Sequence, residues 1–440
     1  MATWNRRRVL AAGAAAAAWG AAPAVRAAHP ARRYRTAVIG PGWWGRNILK
    51  EAIAAGRAQV VGLCDPDPNV VEVAADQVAD LCGDTPKPYA DFRELLEQSK
   101  PEVVIVASPD HWHALQTIAA LKAGAHVYVE KPTGHTVRES RAMVKAAREA
   151  GRVVQVGLHR RVGPHHASAM RFLKEGGAGT VGMVRLFAHY GGGAERPAPN
   201  GDPPEGMDWD LYCGPAPKRP FNRRIHPGGF RQFLDFANGQ LGDWGVHWLD
   251  QVMMWADGAS PRRVYSTGGR PVRGAPVLTD REQTTDAPDH QVAVYEFDAF
   301  TCVWEHRQFA ANQAEKHGIG AYFYGSKGTL HLGWRDGWTF YPANAKGGQV
   351  LHEDAQLQEP DGHNLKLLWA DFLAAIDTGS APAAGIERAH RSSVLPLLGM
   401  LSLKIGRSLR WDGEKEEIVG DPEANALLAR PYRAPWTYPA

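Results

Sequence analysis

Long hydrophobic runs are missing from this chain of 440 residues, and so is any large charge imbalance. No segment offers ~18 uninterrupted apolar residues, so a membrane-spanning helix and stable membrane insertion are not expected. Lys and Arg number 50 against 47 Asp and Glu, a formal charge of +3, which gives no argument for a nucleic-acid partner. Only four cysteines occur, Cys64, Cys82, Cys213 and Cys302, without CxxC spacing. They read as small packed side chains rather than metal ligands or a redox centre, although an exported protein can oxidise a pair that lies close. There is no HExxH motif and no internal repeat. The metal complement expected is none.

The N-terminus carries Asn5-Arg6-Arg7-Arg8-Val9-Leu10, an Ala-rich stretch from Ala11 to Ala22, then small residues around Ala24 and Ala27. This reads as a twin-arginine signal peptide over residues 1–27, so the mature protein is expected in the periplasm or otherwise exported. The remainder is long enough for two domains or three. Its composition, 44% apolar and 22% charged, is that of an ordinary globular protein.

From residue 34 to about 156, short Val/Ile-rich runs alternate with amphipathic helices. Strands are predicted at 34–40, 59–64, 103–107, 125–129 and 153–157, which implies a parallel, doubly wound sheet with ligand at its carboxyl edge. After residue 157 a helix near 165–176 leads into strand-like runs at 181–190, 262–268, 290–297, 300–308, 320–325 and 328–333. Their partial alternation suggests a largely antiparallel sheet. Residues 191–230, rich in Gly, Pro and Asp, form a long loop of the kind that is usually functional or mobile. Segment 363–410 reads as helical, and the Pro-rich tail 419–440 as a surface wrap. The fold class expected is α/β, with domains at 33–156 and 157–440.

The most informative motif is Gly40-Pro41-Gly42-Trp43-Trp44-Gly45, which follows the first strand and precedes a helix predicted to begin near Asn47. In such a turn the first Gly permits the bend, the second lets backbone approach a pyrophosphate, and the third lets helix and strand pack. A second strand ends in Asp65, where a carboxylate would bind the adenosine ribose. It would repel a 2′-phosphate, and no Arg or Lys follows in Pro66-Asp67-Pro68-Asn69, so NAD is favoured over NADP.

Two further constellations carry chemistry. Glu130-Lys131-Pro132 places a lysine at the end of the fourth predicted strand, where it can ease deprotonation of a substrate hydroxyl or simply be a strand-end cation. Within Gly242-Asp243-Trp244-Gly245-Val246-His247-Trp248-Leu249-Asp250, the residues Asp243, His247 and Asp250 share a helix face at i, i+4 and i+7. A histidine so flanked can be held as a general base with a pKa near neutrality. The same trio also suits a structural network or part of a metal site.

These segments, with Ser108-Pro109-Asp110-His111-Trp112-His113, AGAHVYVEKP and QVGLHRR, give a chain that from about residue 34 onward resembles the Gfo/Idh/MocA oxidoreductases. The resemblance implies a Rossmann NAD-binding domain followed by an α/β substrate domain with a large, mainly antiparallel sheet. It implies catalytic roles for Lys131, Asp243 and His247. The cofactor-binding set it implies is Gly40, Gly42, Trp43, Trp44, Gly45, Asp65, Ser108, Pro109, His113, Glu130 and Lys131. Trp209 to Pro217 and Glu387 to Asp412 look like the exported members. The site motif of the NAD-dependent α-N-acetylgalactosaminidases is not apparent.

Fifteen tryptophans, many within 209–255, suit a carbohydrate substrate, although most are expected in the core. Arg160, Arg161, Arg223, Arg224 and Arg231 lie in segments expected at the cleft, where one can bind a carboxylate or sulfonate on a sugar. Arg161, Arg231 and His247 are the candidate substrate-binding residues. The partners expected are a small carbohydrate and further copies of the chain, as a dimer or tetramer through the C-terminal sheet. The function expected is hydride transfer on a sugar or polyol, or a redox-neutral glycosidase reaction through transient oxidation.

Overall fold

The computed structural model describes residues 32–344, 348–356 and 360–439. The expected signal segment 1–27 lies outside the described residues. The first eleven elements are β1 (Tyr34–Ile39), α1 (Trp43–Ala54), β2 (Ala58–Cys64), α2 (Pro68–Cys82), β3 (Lys87–Tyr89), α3 (Phe92–Ser99), β4 (Val103–Val106), α4 (His113–Lys122), β5 (His126–Val129), α5 (Val137–Ala150) and β6 (Val154–Val156). Their strands form one parallel sheet in the order β3-β2-β1-β4-β5-β6. The order reverses between β1 and β4, the point where such sheets bind ligand. Fully buried runs such as Val103–Val106 fit a sheet covered on both faces. Local signals set the helices: Asp67 caps α2 through Asn69 N, and Thr136 with Glu139 forms a capping box on α5.

Helix α1 starts four residues earlier than the sequence reading placed it. Gly42 is its N-cap, and Trp43 and Trp44 are already helical. Aromatic residues are weak helix formers, so this start rests on the turn and on packing. Strand β3 escaped prediction because Lys87-Pro88-Tyr89 has no apolar run.

The second part holds α6 (Pro164–Lys174), β7 (Val181–His189), β8 (Ala198–Pro199), α7 (Trp209–Cys213), α8 (Val246–Trp255), β9 (Arg263–Gly269), β10 (Glu282–Gln283), β11 (His290–Glu296), β12 (Thr301–Arg307), β13 (Ile319–Gly325), β14 (Gly328–Gly333), β15 (Trp338–Pro342), β16 (Leu351–Glu353), α9 (Pro360–Thr378), α10 (Ile386–Ile405), β17 (Leu409–Asp412), β18 (Glu417–Ile418) and α11 (Pro422–Ala426). Ten of its strands make one sheet ordered β16-β15-β14-β13-β7-β12-β11-β9-β17-β18. All its neighbours are antiparallel except β7 and β12. Strands β11 and β12 alternate buried and half-buried residues along their length, so one face packs on α6, α8 and α10.

Residues 191–230 do more than loop. With the residues up to Phe236 they close a small core of their own around Trp209, Tyr212, Phe221, Phe233 and Phe236. The tail packs as expected: Arg430 reaches Glu139 at 3.0 Å, and Trp436 meets Trp112 edge-on at 4.7 Å. All four cysteines are free, and Cys82 is exposed where a packed side chain was expected.

Candidate active site

The carboxyl ends of β1, β2 and β4 build a cradle from backbone. Gly40 has φ +80°, and a Cβ there would stand 2.5 Å from Ser108 N. A Cβ on Gly45 would stand 2.3 Å from the Gly40 carbonyl oxygen, while Gly42 faces open space. No side chain caps α1 and no acid sits in its first turn, so its N–H groups face that space unpaired by side chains. Beside it a narrow cleft is lined by Gly40, Asp65, Ser108, Pro109, Trp112 and Tyr212. Burial pushes the Asp65 carboxyl up to about 7. Ribose hydroxyls would relieve that by donating to the ionised form. The cradle, the uncapped helix and the desolvated Asp65 carboxyl together fit a dinucleotide.

The remaining residues expected at the cofactor are placed unevenly. Ser108 donates from Oγ to Gln116 at 2.5 Å. His113 spends both ring nitrogens on carbonyls, Pro132 and Ser108 at 2.8 Å each, so it braces two loops rather than offering an atom to the cleft. Glu130 is buried and receives the Lys131 backbone N–H at 3.3 Å. Trp43 is 71% exposed, whereas Trp44 packs 5.9 Å from the His159 ring.

Lys131 extends from the end of β5 and donates to Asp243 Oδ1 at 2.5 Å and to the Asp243 carbonyl at 3.0 Å. An ammonium has three N–H bonds, so one is left for a substrate oxygen. Arg231 donates to the same Asp243 carboxylate at 3.2 Å. Burial pushes Asp243 upward, but Lys131 and Arg231 outweigh it and hold the carboxyl below its ordinary value. Asp110, on the short turn after Pro109, stands in the same field. Burial pushes it up to about 7 against the pull of Lys131 and Arg231. Asp110 lay within a quoted motif yet carried no expected role, because nothing in its local pattern shows what surrounds it.

The expected Asp243, His247 and Asp250 face is not formed. Asp243 sits in a π-helical turn, Leu241–Gly245, that precedes α8, so the i, i+4 alignment is lost. Asp243 pairs with Lys131, and no hydrogen bond joins it to His247 among the described residues. His247 lies between His159, 5.0 Å away, and Trp244, 6.5 Å away, and its Nδ1 has no hydrogen-bond partner among the described residues. Burial, then Lys131 and Arg160, pull its pKa well below the ordinary value. The imidazole is therefore neutral at neutral pH, a correction to the near-neutral titration expected.

Arg161 also departs from expectation. Its Nε and Nη2 both engage Asp250 at 2.7–3.0 Å, and Ser392 Oγ donates to the same carboxylate at 2.6 Å. This buried ion pair ties the loop after β6 to α8 and α10, so Arg161 is removed from the substrate set. Arg231 lies beside Lys131, bonded to Asp243.

Over the dinucleotide cleft lies the small core of residues 207–236. The Tyr212 carbonyl is held by Trp112 Nε1 at 3.0 Å, and Asp208 N donates to the Pro66 carbonyl at 2.9 Å. His226 Nε2 meets Asp67 Oδ2 at 2.7 Å. These bonds fasten the insert to the loop that carries Asp65.

Two domain models match this chain: an oxidoreductase family NAD-binding Rossmann fold over residues 34–158, and an oxidoreductase family C-terminal α/β domain over 187–270 and 350–438. Among curated relatives, a glycosyl hydrolase family 109 protein of Stenotrophomonas maltophilia is 36% identical over 153 residues, 33% of this chain and 34% of the relative. A levoglucosan dehydrogenase of Pseudarthrobacter phenanthrenivorans is 36% identical over 92 residues, 21% of this chain and 24% of the relative. An inositol 2-dehydrogenase of Salmonella typhimurium is 28% identical over 158 residues, 36% of this chain and 46% of the relative. The matches thus span less than half the length of each relative. Among solved structures, an aldose-aldose oxidoreductase from Caulobacter crescentus aligns with TM-score 0.62 at 19% identity, over 86% of this chain and all of the other. An oxidoreductase domain protein from Kribbella flavida aligns at 0.65 and 22%, over 86% and 98%. At these identities the two structures show the shared fold.

Proposed function

Since the chain belongs to the Gfo/Idh/MocA family of NAD-binding oxidoreductases, we propose that it transfers a hydride between NAD and a sugar, polyol or sugar derivative. The observation that carries this is the Lys131–Asp243 contact of 2.5 Å at the carboxyl edge of the sheet, beside the glycine cradle. Bound NAD supplies the hydride acceptor. Gly40, Gly42, Gly45 and Asp65 would hold it. The free N–H of Lys131 donates to the substrate hydroxyl oxygen and stabilises the oxyanion as the O–H bond breaks. Neutral His247 accepts the proton on a ring nitrogen. Asp243 orients Lys131, and Arg231 balances the charge of Asp243.

The reading extends to export through residues 1–27, to assembly through the ten-stranded sheet, and to a cofactor held through turnover. Export is supported by Arg6-Arg7-Arg8 and the Ala-rich stretch. Retention is supported by the insert fastened at Pro66 and Asp67. An exported enzyme meets no soluble NAD pool, so a nucleotide lost at each cycle would end catalysis. Reduction and reoxidation then occur on a pair of substrates or within one.

The glycosyl hydrolase family 109 relatives favour a second reading, in which transient oxidation leads to elimination of an aglycone and return of the hydride. Product analysis on a panel of sugars and glycosides separates the two. Keto-sugar with reduced acceptor supports the oxidoreductase. Free aglycone without net NADH identifies the glycosidase, and no change in any substrate rejects both.

A further inference from the structure

Of the five arginines near the cleft, four are accounted for. Arg161 is bound to Asp250, Arg224 to Glu195 and Arg231 to Asp243, and Arg223 is exposed. Arg160 is different. It is 2% exposed, and among the described residues its Nε and Nη1 have no hydrogen-bond partner and no ion pair reaches it. Its guanidinium instead lies 5.0–5.5 Å from the ring centres of Trp244, Trp248 and Trp334. Indole faces stabilise a cation but accept no strong hydrogen bond. A buried guanidinium with two idle N–H groups is costly to keep unless something meets them.

The surroundings say what can meet them. Asp361 acts on Arg160 through space, but its carboxylate oxygen is shared by His159 Nε2 at 3.0 Å and Trp334 Nε1 at 3.2 Å. Tyr190 also acts on Arg160, its hydroxyl kept neutral by burial, and the remaining groups on this wall, His159, His165, His166, His247 and Lys131, bring no negative charge. Trp244 links the wall to the catalytic centre, since it touches both Arg160 and His247. Aromatic faces, a proton acceptor and a cation with two N–H groups lacking a hydrogen bond among the described residues thus share one wall. Trp244 and Trp334, packed edge-on at 4.9 Å, offer apolar surface of the kind that stacks on a pyranose ring.

Resting on the sugar-site reading above, we infer that Arg160 selects an anionic substrate: the sugar carries a carboxylate, and the Arg160 guanidinium receives it. Charge-assisted hydrogen bonds from a desolvated guanidinium make the preference at least about tenfold over the neutral sugar. Arg160 acts on specificity and takes no part in proton or hydride transfer.

The test titrates the purified holoprotein with sodium D-glucuronate and with D-glucose, reading intrinsic tryptophan fluorescence and the heat by calorimetry. Glucuronate is expected to bind at least about tenfold tighter, with Arg160→Gln reducing the ratio to within about threefold and Arg160→Lys keeping part of it. Equal wild-type affinities, no glucuronate binding at millimolar concentration, or a preference that survives in Arg160→Gln each overturn the inference. The wild-type ratio needs no variant. NAD content and thermal unfolding of Arg160→Gln report whether that variant folds. Turnover assays keep the two readings apart. Neutral sugars oxidised without any preference for the uronate leave the hydride reading standing and remove this one. A uronate preference without oxidation of any sugar does the reverse.

Discussion

The dinucleotide cradle and the substrate wall lie on the same edge of the parallel sheet but are made of different material. The cradle is backbone: Gly40 and Gly45 are there because a Cβ would stand 2.3–2.7 Å from other main-chain atoms. The wall is side chains from distant segments: Arg160, the Trp244–His247 pair, Trp334 and Asp361 come from four places in the chain. A backbone device tolerates little change yet needs no partner. A side-chain device depends on which partner each charge takes, and the arginines show how narrow that choice is. Arg160 and Arg161 are neighbours, one idle and one doubly bonded to Asp250.

The sharpest way to break that contrast is Arg161→Ala. It strands the Asp250 carboxylate, whose side chain is 1% exposed, and is expected to destabilise the fold by about 3–5 kcal/mol in urea unfolding. Unchanged stability with raised KM would return Arg161 to the substrate. Next in size, Lys131→Ala and His247→Ala should each lower turnover by at least ~10²-fold while NAD content stays within a few-fold, because both act on the reacting oxygen and proton. Retained turnover in either variant removes it from the catalytic set.

A smaller effect is written in pH. Asp65 is pushed up to about 7 in the free protein. Ribose hydroxyls donate to its ionised form, so binding lowers that pKa and releases a proton. Affinity of the NAD-free protein should therefore rise with pH up to about 7 and level off above it, by up to about tenfold between pH 6 and the plateau. Asp65→Asn should flatten the curve and narrow the preference for NAD over NADP. A slope unchanged in that variant assigns the proton elsewhere. The smallest effect expected is at the insert. His226→Ala removes the 2.7 Å contact to Asp67 and should speed NAD release a few-fold in a chase with labelled nucleotide, with kcat little changed. Identical release rates would detach the insert from retention.

The same contrast explains what the sequence made legible. The six residues from Gly40 to Gly45 and the following Asp65 announce a nucleotide turn because local geometry demands those residues at that spacing. Eleven strands of the two sheets were legible to within a residue or two from apolar runs and alternation, whereas β3, β15, β16, β17 and β18 escaped, and the start of β17 was read as helix. Asp243 and His247 were found as residues, but their relation was misread: a π-turn changes the register, and no spacing rule forecasts it. Trp209, Tyr212 and Phe221 looked like part of a loop because their core closes only in three dimensions. Arg160 stood in a quoted motif, and only its lack of a partner sets it apart.

We propose that the nucleotide enters before export and stays. The most direct test is the NAD(H) content of mature protein isolated from the periplasm, measured by mass spectrometry after denaturation, together with turnover without added cofactor. About one NAD(H) per chain, and activity that free NAD⁺ does not raise, is the predicted result. An empty site, with activity only when NAD⁺ is supplied in stoichiometric amounts, would contradict it.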